Sequence, residues 1–106
     1  MNKNDKEMIR HILETDKVIH EPARVVILSL LNVVEYADFV FLMNETGLTQ
    51  GNLSSHLSKL ETAGYIEIEK TFHQKRPRTI IRISKSGQDA FNLYLKSMKG
   101  FYNSIG

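Results

Sequence analysis

The chain has no cysteine, which excludes disulfides, thiolate metal sites and cysteine redox sensing. Its longest apolar run, VVILSLLNVV from Val25 to Val34, is interrupted by Ser29 and Asn32 and is too short to span a bilayer. The opening stretch MNKNDKEMIRHILE is polar and lacks the apolar core of a signal peptide. No internal repeat, low-complexity tract or long linker stands out. Catalytic signatures are missing too. His11, His20, His56 and His73 are scattered without an HxxxH pair, Asp38, Glu45 and Glu61 form no paired-carboxylate motif, and there is no Gly-rich phosphate loop. The soft ligands of a metal sensor are also absent. Together these absences lead us to expect a soluble, cytoplasmic, non-enzymatic protein without metal or cofactor, and nothing in the sequence names a small-molecule effector.

What is present suits a single domain over residues 1–106, long enough for one modest core. The hydrophobic share of 42% and charged share of 25% are ordinary for a globular chain. The formal net charge of +2 hides an uneven distribution. Residues 65–86 carry Lys70, Lys75, Arg76, Arg78, Arg82 and Lys85 against Glu67 and Glu69, a surplus of +4. Residues 22–64 carry Arg24 and Lys59 against Glu35, Asp38, Glu45 and Glu61, a balance of −2. A concentrated basic patch of this kind attracts polyanions.

Hydrophobic periodicity predicts a first helix over residues 5–17, capped by Asn4 or Asp5, with Met8, Ile9, Ile12 and Leu13 on one side. Pro22 suits the first turn of a second, central helix, PARVVILSLLNVV. A short third helix follows in ADFVFLMNETG, with Asp38 as cap and Gly47 as stop. Thr49 caps a fourth helix, which ends at Gly64. The period then changes to two in YIEIEK, a half-buried strand, and TIIRIS from Thr79 to Ser84 is a second β-branched run. TFHQKRPR between them reads as a polar, basic loop of a long-looped hairpin. A last helix carries Phe91, Tyr94 or Leu95, Met98, and Phe101 or Tyr102 at helical spacing. The expected fold class is mainly α with a small β-hairpin: a winged helix-turn-helix with additional N- and C-terminal helices.

The fourth helix has an unusual outer face. Leu53, Leu57 and Leu60 make one buried stripe, and opposite them lie Gly51, Asn52, Ser54, Ser55 and Ser58. Solvated helix faces favour Glu, Lys, Gln and Arg, whereas Ser and Asn compete with the backbone and Gly costs about 1 kcal/mol against Ala. Small residues let a helix backbone approach a duplex closely, with its N-terminal end toward the bases in the major groove. Thr49, Gln50, Asn52, Ser54, Ser55, Ser58 and Lys59 are the expected contacts, and the amides of Gln50 and Asn52 can pair bidentately with adenine. His56 lies at the flank, where it packs at the edge or touches a phosphate. The wing KTFHQKRPRT supplies Lys70, Lys75, Arg76 and Arg78 for the DNA backbone or minor groove.

Leu48 to Leu95 resembles the small winged-helix regulators of the MarR/ArsR kind, in particular a compact subgroup with an LTxGNLSxHLxxLExAGY recognition helix and a KxFxxxRPxT wing. Here these stand as LTQGNLSSHLSKLETAGY and KTFHQKRPRT, followed by SKSGQDAF where the family has TxxGxxAF. One departure is Ser55, where relatives often carry Arg or another long side chain. The resemblance implies a transcription regulator that binds double-stranded DNA as a homodimer on a pseudo-palindromic operator, with terminal helices pairing across a two-fold axis. The terminal helices, about 5–17 and 85–103, offer Ile9, Ile12, Leu13, Phe91, Leu95, Met98 and Tyr102 for that interface. A winged-helix module that binds protein instead of DNA is the alternative. It calls for a neutral or acidic wing and an apolar outer helix face, the reverse of what this chain has.

Overall fold

Asn2 opens the first helix, α1 (Lys3–Leu13), in the computed structural model, which describes residues 2–106. Its side chain accepts the Asp5 N–H at 2.9 Å while the Asp5 carboxylate accepts the Asn2 N–H at 3.3 Å, a reciprocal capping box. The helix therefore starts before the expected Asn4 or Asp5. It also ends at Leu13 and not at residue 17, because the Asp16 carboxylate accepts the N–H groups of Val18 and Ile19, a turn that competes with helix.

Helix α2 (Pro22–Leu31) has Pro22 in its first turn and Glu21 as cap, and it stops three residues before Val34. Val33 is 79% exposed. The chain turns there so that a short strand the sequence reading did not contain, β1 (Ala37–Asp38), can pair with a later one. Helix α3 (Phe39–Thr46) is capped by Asp38, whose Oδ1 accepts the Phe41 N–H at 2.8 Å, and ends at Gly47 as expected. Helix α4 (Gln50–Thr62) is capped by Thr49. Gly64 closes it at φ 81°, where the Tyr65 N–H reaches back to the Leu60 carbonyl at 3.0 Å.

The hairpin is longer and tighter than expected. Strands β2 (Ile66–His73) and β3 (Arg76–Ile83) pair antiparallel over their whole length, so most of TFHQKRPR is strand and not loop. Only Gln74 and Lys75 turn the chain, at φ 51° and 66°, the positive angles a two-residue type I′ turn requires. Pro77 lies opposite Phe72. Counting from the closing pair His73–Arg76, that is a non-hydrogen-bonded position, so the missing N–H breaks no rung. The sheet order is β1-β3-β2.

Helix α5 (Lys85–Ile105) begins at Ser84, whose hydroxyl accepts the Gly87 N–H at 2.9 Å and donates to the Gly64 carbonyl at 2.6 Å. Gly87 lies against the backbone just before β2: a Cβ there would stand 2.0 Å from the Tyr65 carbonyl oxygen. One core joins these elements, with Ile27, Leu28 and Leu31 of α2, Leu42 of α3, Leu53, Leu57 and Leu60 of α4, Ile66 and Ile81 of the sheet, and Phe91 of α5. Each such side chain contributes about 1.5–3 kcal/mol by leaving water. Helix α1 packs along α5, where Met8 meets Gly100, and buries none of its residues fully. The molecule measures 61 × 25 × 21 Å. Its radius of gyration is 16.0 Å, against about 13 Å for a compact chain of this length.

Candidate nucleic-acid interface

Leu53, Leu57 and Leu60 are 0%, 2% and 0% exposed, which fixes the rotation of α4 on the core. Thr49, Gln50, Gly51, Asn52, Ser54, Ser55, Ser58 and Lys59 consequently all face solvent. The Thr49 hydroxyl accepts the Asn52 N–H at 3.1 Å, so its capping duty uses one lone pair and leaves its proton available. A Cβ on Gly51 would meet no atom within 4 Å. Nothing inside the chain requires glycine there.

The wing stands beside this face. Gln50, Ser54 and Ser58 line one wall of an open groove of about 1080 Å³, and Lys70, His73, Arg76, Pro77, Arg78 and Thr79 line the other. Asp38 and Glu61 lie in the same groove. Asn52, Ser55 and Lys59 are exposed but do not line it. Lys59 borders a second hollow of about 440 Å³ together with Lys17, a cation that the sequence reading left at the end of the first helix.

The expected wing cations separate into two kinds. Lys70, Lys75 and Arg76 are exposed and make no ion pair among the described residues. Arg78 is held at the base of the wing. Its guanidinium donates to Asp38 Oδ2 at 3.3 Å and lies 5.9 Å from the centre of the Tyr36 ring. Arg82 covers the same ring at 5.7 Å and donates to Glu69 at 3.0 Å. Asp38 thus caps α3 with one oxygen and ties down the wing with the other. Tyr36 carried no sequence signal, because its partners lie some forty residues away in β3.

His56 is turned inward, not toward the outer face. Its Nδ1 accepts a hydrogen bond from the Arg24 guanidinium at 3.0 Å and lies 3.6 Å from the Glu21 carboxylate. Of its two expected placements, the ring takes the edge of the helix. Arg24 is only 8% exposed and also donates through Nε to the Val18 carbonyl. A guanidinium has donors only, so the accepting Nδ1 carries no proton. Burial raises the Glu21 pKa, but the N–H groups of Arg24 and Ala23 and the neighbouring Arg24 guanidinium outweigh it, leaving the carboxyl below its ordinary value. Sequence reasoning missed Arg24 and Glu21, which look like ordinary surface residues of a helix start.

The residues expected to pair two copies also divide. Phe91 is 1% exposed and belongs to the chain's own core, stacked near Tyr94, which corrects its placement on an outer surface. Met98 leans on the same core. Ile9 and Ile12 are half-buried between α1 and its surroundings. Leu13, Leu95 and Tyr102 are 73%, 43% and 58% exposed, and Ile105 joins the last two on one side of α5 at 63%. Among the described residues, no group of three or more His, Asp or Glu could hold a metal ion, and no helix is long and apolar enough to cross a membrane.

Comparison with known proteins agrees with this geometry. The profile of the winged helix DNA-binding domain family matches residues 23–102. An uncharacterized protein of Methanocaldococcus jannaschii is 42% identical over 79 residues, 74% of this chain and 86% of its own length. The transcriptional regulator homologue protein from Pyrococcus horikoshii OT3 superposes with a TM-score of 0.86 at 28% identity, over 93% of this chain and 97% of that one. NadR, solved in complex with 4-hydroxyphenylacetate, shares the fold with a TM-score of 0.69 at 22% identity, over 96% of this chain and 70% of that one.

Proposed function

We propose a function from one premise: the chain belongs to the winged helix DNA-binding domain family. On this reading it is a sequence-specific transcription regulator of the MarR-like kind that binds double-stranded DNA as a homodimer. Helix α4 enters the major groove and the wing follows the backbone or the minor groove. The observation that carries the reading is the groove in which Gln50, Ser54 and Ser58 face Lys70 and Arg76 across open space. Its helical wall offers the polar groups of Gln50, Ser54 and Ser58, and its wing wall offers charge.

Surface area supports the dimer. The chain exposes 7261 Å², whereas a compact monomer of its 12.2 kDa exposes about 6,100 Å². The excess of about 1,200 Å² is larger than the roughly 800 Å² that each partner buries in a standard interface. The terminal helices α1 and α5 leave Leu13, Leu95, Tyr102 and Ile105 uncovered for such an interface. A two-fold axis through that region sets two recognition helices to read half-sites roughly one turn, about 34 Å, apart.

Titrating salt against binding to a random-sequence duplex tests the DNA reading, with sedimentation of the free protein run beside it. Affinity should fall linearly in log–log form with a slope of about −0.9 per phosphate neutralised, and the free protein should sediment as twice the chain mass. Absence of duplex binding at low salt overturns the DNA reading and favours a protein-binding module. A monomer at micromolar concentration overturns the dimer alone.

A further inference from the structure

The wing tip carries an apolar pair that phosphate contacts do not explain. Phe72 is 73% exposed. It stands directly opposite the exposed Pro77 in the β2–β3 register. Non-hydrogen-bonded antiparallel pairs bring side chains closest, so the ring and the pyrrolidine form one apolar surface. Cross-strand partners share a face, and Ile66, Ile68, Ile81 and Ile83 lie on the face of Phe72 and Pro77. Phe72 is thus the core face of the sheet carried past the end of the core. Pro77 lines the groove that also holds Gln50, Ser54 and Ser58.

The surroundings define the partner. Lys70 shares this face two residues before Phe72, Lys75 and Arg76 follow at the turn, and residues 70–78 contain no acidic side chain. A partner that meets the ring also meets these cations and must present anions beside it. A minor groove does so: two phosphate rows border deoxyribose and base edges, and phenylalanine is among the side chains that press into such grooves. We propose that Phe72, backed by Pro77, is an apolar contact of the wing inside the DNA minor groove. It packs on sugar and base edges while Lys75 and Arg76 hold the bordering phosphates. The inference rests on the DNA-binding function proposed above and adds to it a readout of groove shape.

An apolar contact releases no counterion, so its loss and the loss of a cation give different signatures. The test measures wild type, Phe72→Ser and Phe72→Leu on random 30-bp duplexes, prepared with guanine or with inosine. Inosine removes the minor-groove amino group and leaves the major-groove face unchanged. Wild type should bind the inosine duplex several-fold more tightly. Phe72→Ser should lose about tenfold in affinity, keep the wild-type salt slope and thermal midpoint, and no longer distinguish the duplexes. Phe72→Leu should recover most of the loss. Unchanged affinity in Phe72→Ser overturns the proposal, as does a fall in salt slope by about 1, which would mean that the ring only positions a cation. Equal wild-type affinity for the two duplexes also overturns it. In all three cases duplex binding persists, whereas no wild-type binding at low salt defeats the underlying function itself.

Discussion

The guanidinium of Arg24 donates to Nδ1 of His56 at 3.0 Å and so ties the helix with the polar outer face to the first turn of α2. The link lies at 8% exposure on the Arg24 side and has Glu21 beside it. It adds a polar tie between α2 and α4 to the apolar contacts of the leucine stripe. Arg24→Leu leaves the Val18 carbonyl and the imidazole without their donor, and each such group costs about 1–3 kcal/mol. Urea denaturation should therefore show a loss of about 2–4 kcal/mol. His56→Ala should cost about 1 kcal/mol and leave the salt slope of duplex binding unchanged. A slope reduced by about 1 in that variant would instead place His56 on a phosphate.

The Tyr65 hydroxyl donates to Asp16, the residue that also ends α1 by holding the Val18 and Ile19 N–H groups. That hydrogen bond, with burial and the Asp16 charge, pushes the phenol from 10.0 up to about 12. The folded state therefore favours the protonated phenol. Its stabilisation is complete below pH 10.0 and disappears as pH rises toward about 12. Glu21 acts at the other end: its lowered pKa stabilises the fold above pH 4.5, and that contribution fades as pH falls below it. Chemical denaturation across pH 9–12 should show a loss in the wild type of at most about 2–3 kcal/mol. Tyr65→Phe should start about 1–2 kcal/mol lower at pH 7 and show a smaller alkaline loss, the remainder coming from Tyr94, whose phenol is also pushed up by burial.

Signals confined to a few neighbouring residues were legible in the sequence. The Asp38 and Thr49 caps, the stops at Gly47 and Gly64, and the leucine stripe of α4 all depend on spacings within one or two turns. The winged helix-turn-helix that they imply is the fold that forms. The wing was misjudged because both faces of its tip are exposed, so the period of two that marks a half-buried strand is missing from TFHQKRPR. Its turn residues, Gln74 and Lys75, are also not the Asn-Gly pair that usually announces such a turn. Strand β1 is two residues long and exists only through β3. Phe91 shows the limit of helical spacing, which identifies a face but not how far along the helix the core extends. The candidate interface was legible in composition, but its internal ties were not. Arg24–His56 and Asp38–Arg78 join residues 32 and 40 positions apart.

The two arginines of the wing should respond differently to truncation. Arg76 is exposed and contacts no acidic group among the described residues, so Arg76→Ala should lower the salt slope by about 1 at unchanged stability. Arg78 supports the wing through Asp38 and the Tyr36 ring. Arg78→Ala should cost about 1 kcal/mol in urea, because a part-exposed ion pair contributes about 0–1 and a ring contact about 0.5–1 kcal/mol. Affinity and stability measured on the same preparations separate the two roles. A slope change in Arg78→Ala equal to that of Arg76→Ala, with stability intact, would show that its guanidinium leaves Asp38 for the duplex.

Gly51 offers the sharpest contrast between folding and binding. It lies in the first turn of α4, and an added Cβ would meet nothing in the chain. Alanine is the better helix former because glycine loses more backbone freedom on folding, a difference of about 0.5–1 kcal/mol. Gly51→Ala should accordingly raise the urea midpoint. If the helix backbone comes as close to the duplex as the small residues around it allow, the same methyl collides with DNA. The variant should then bind duplex several-fold more weakly, with the salt slope unchanged because no cation is lost. Higher stability with undiminished affinity would mean that the outer face of α4 stands clear of the groove at this turn. Glycine at position 51 would then have no account in either folding or binding.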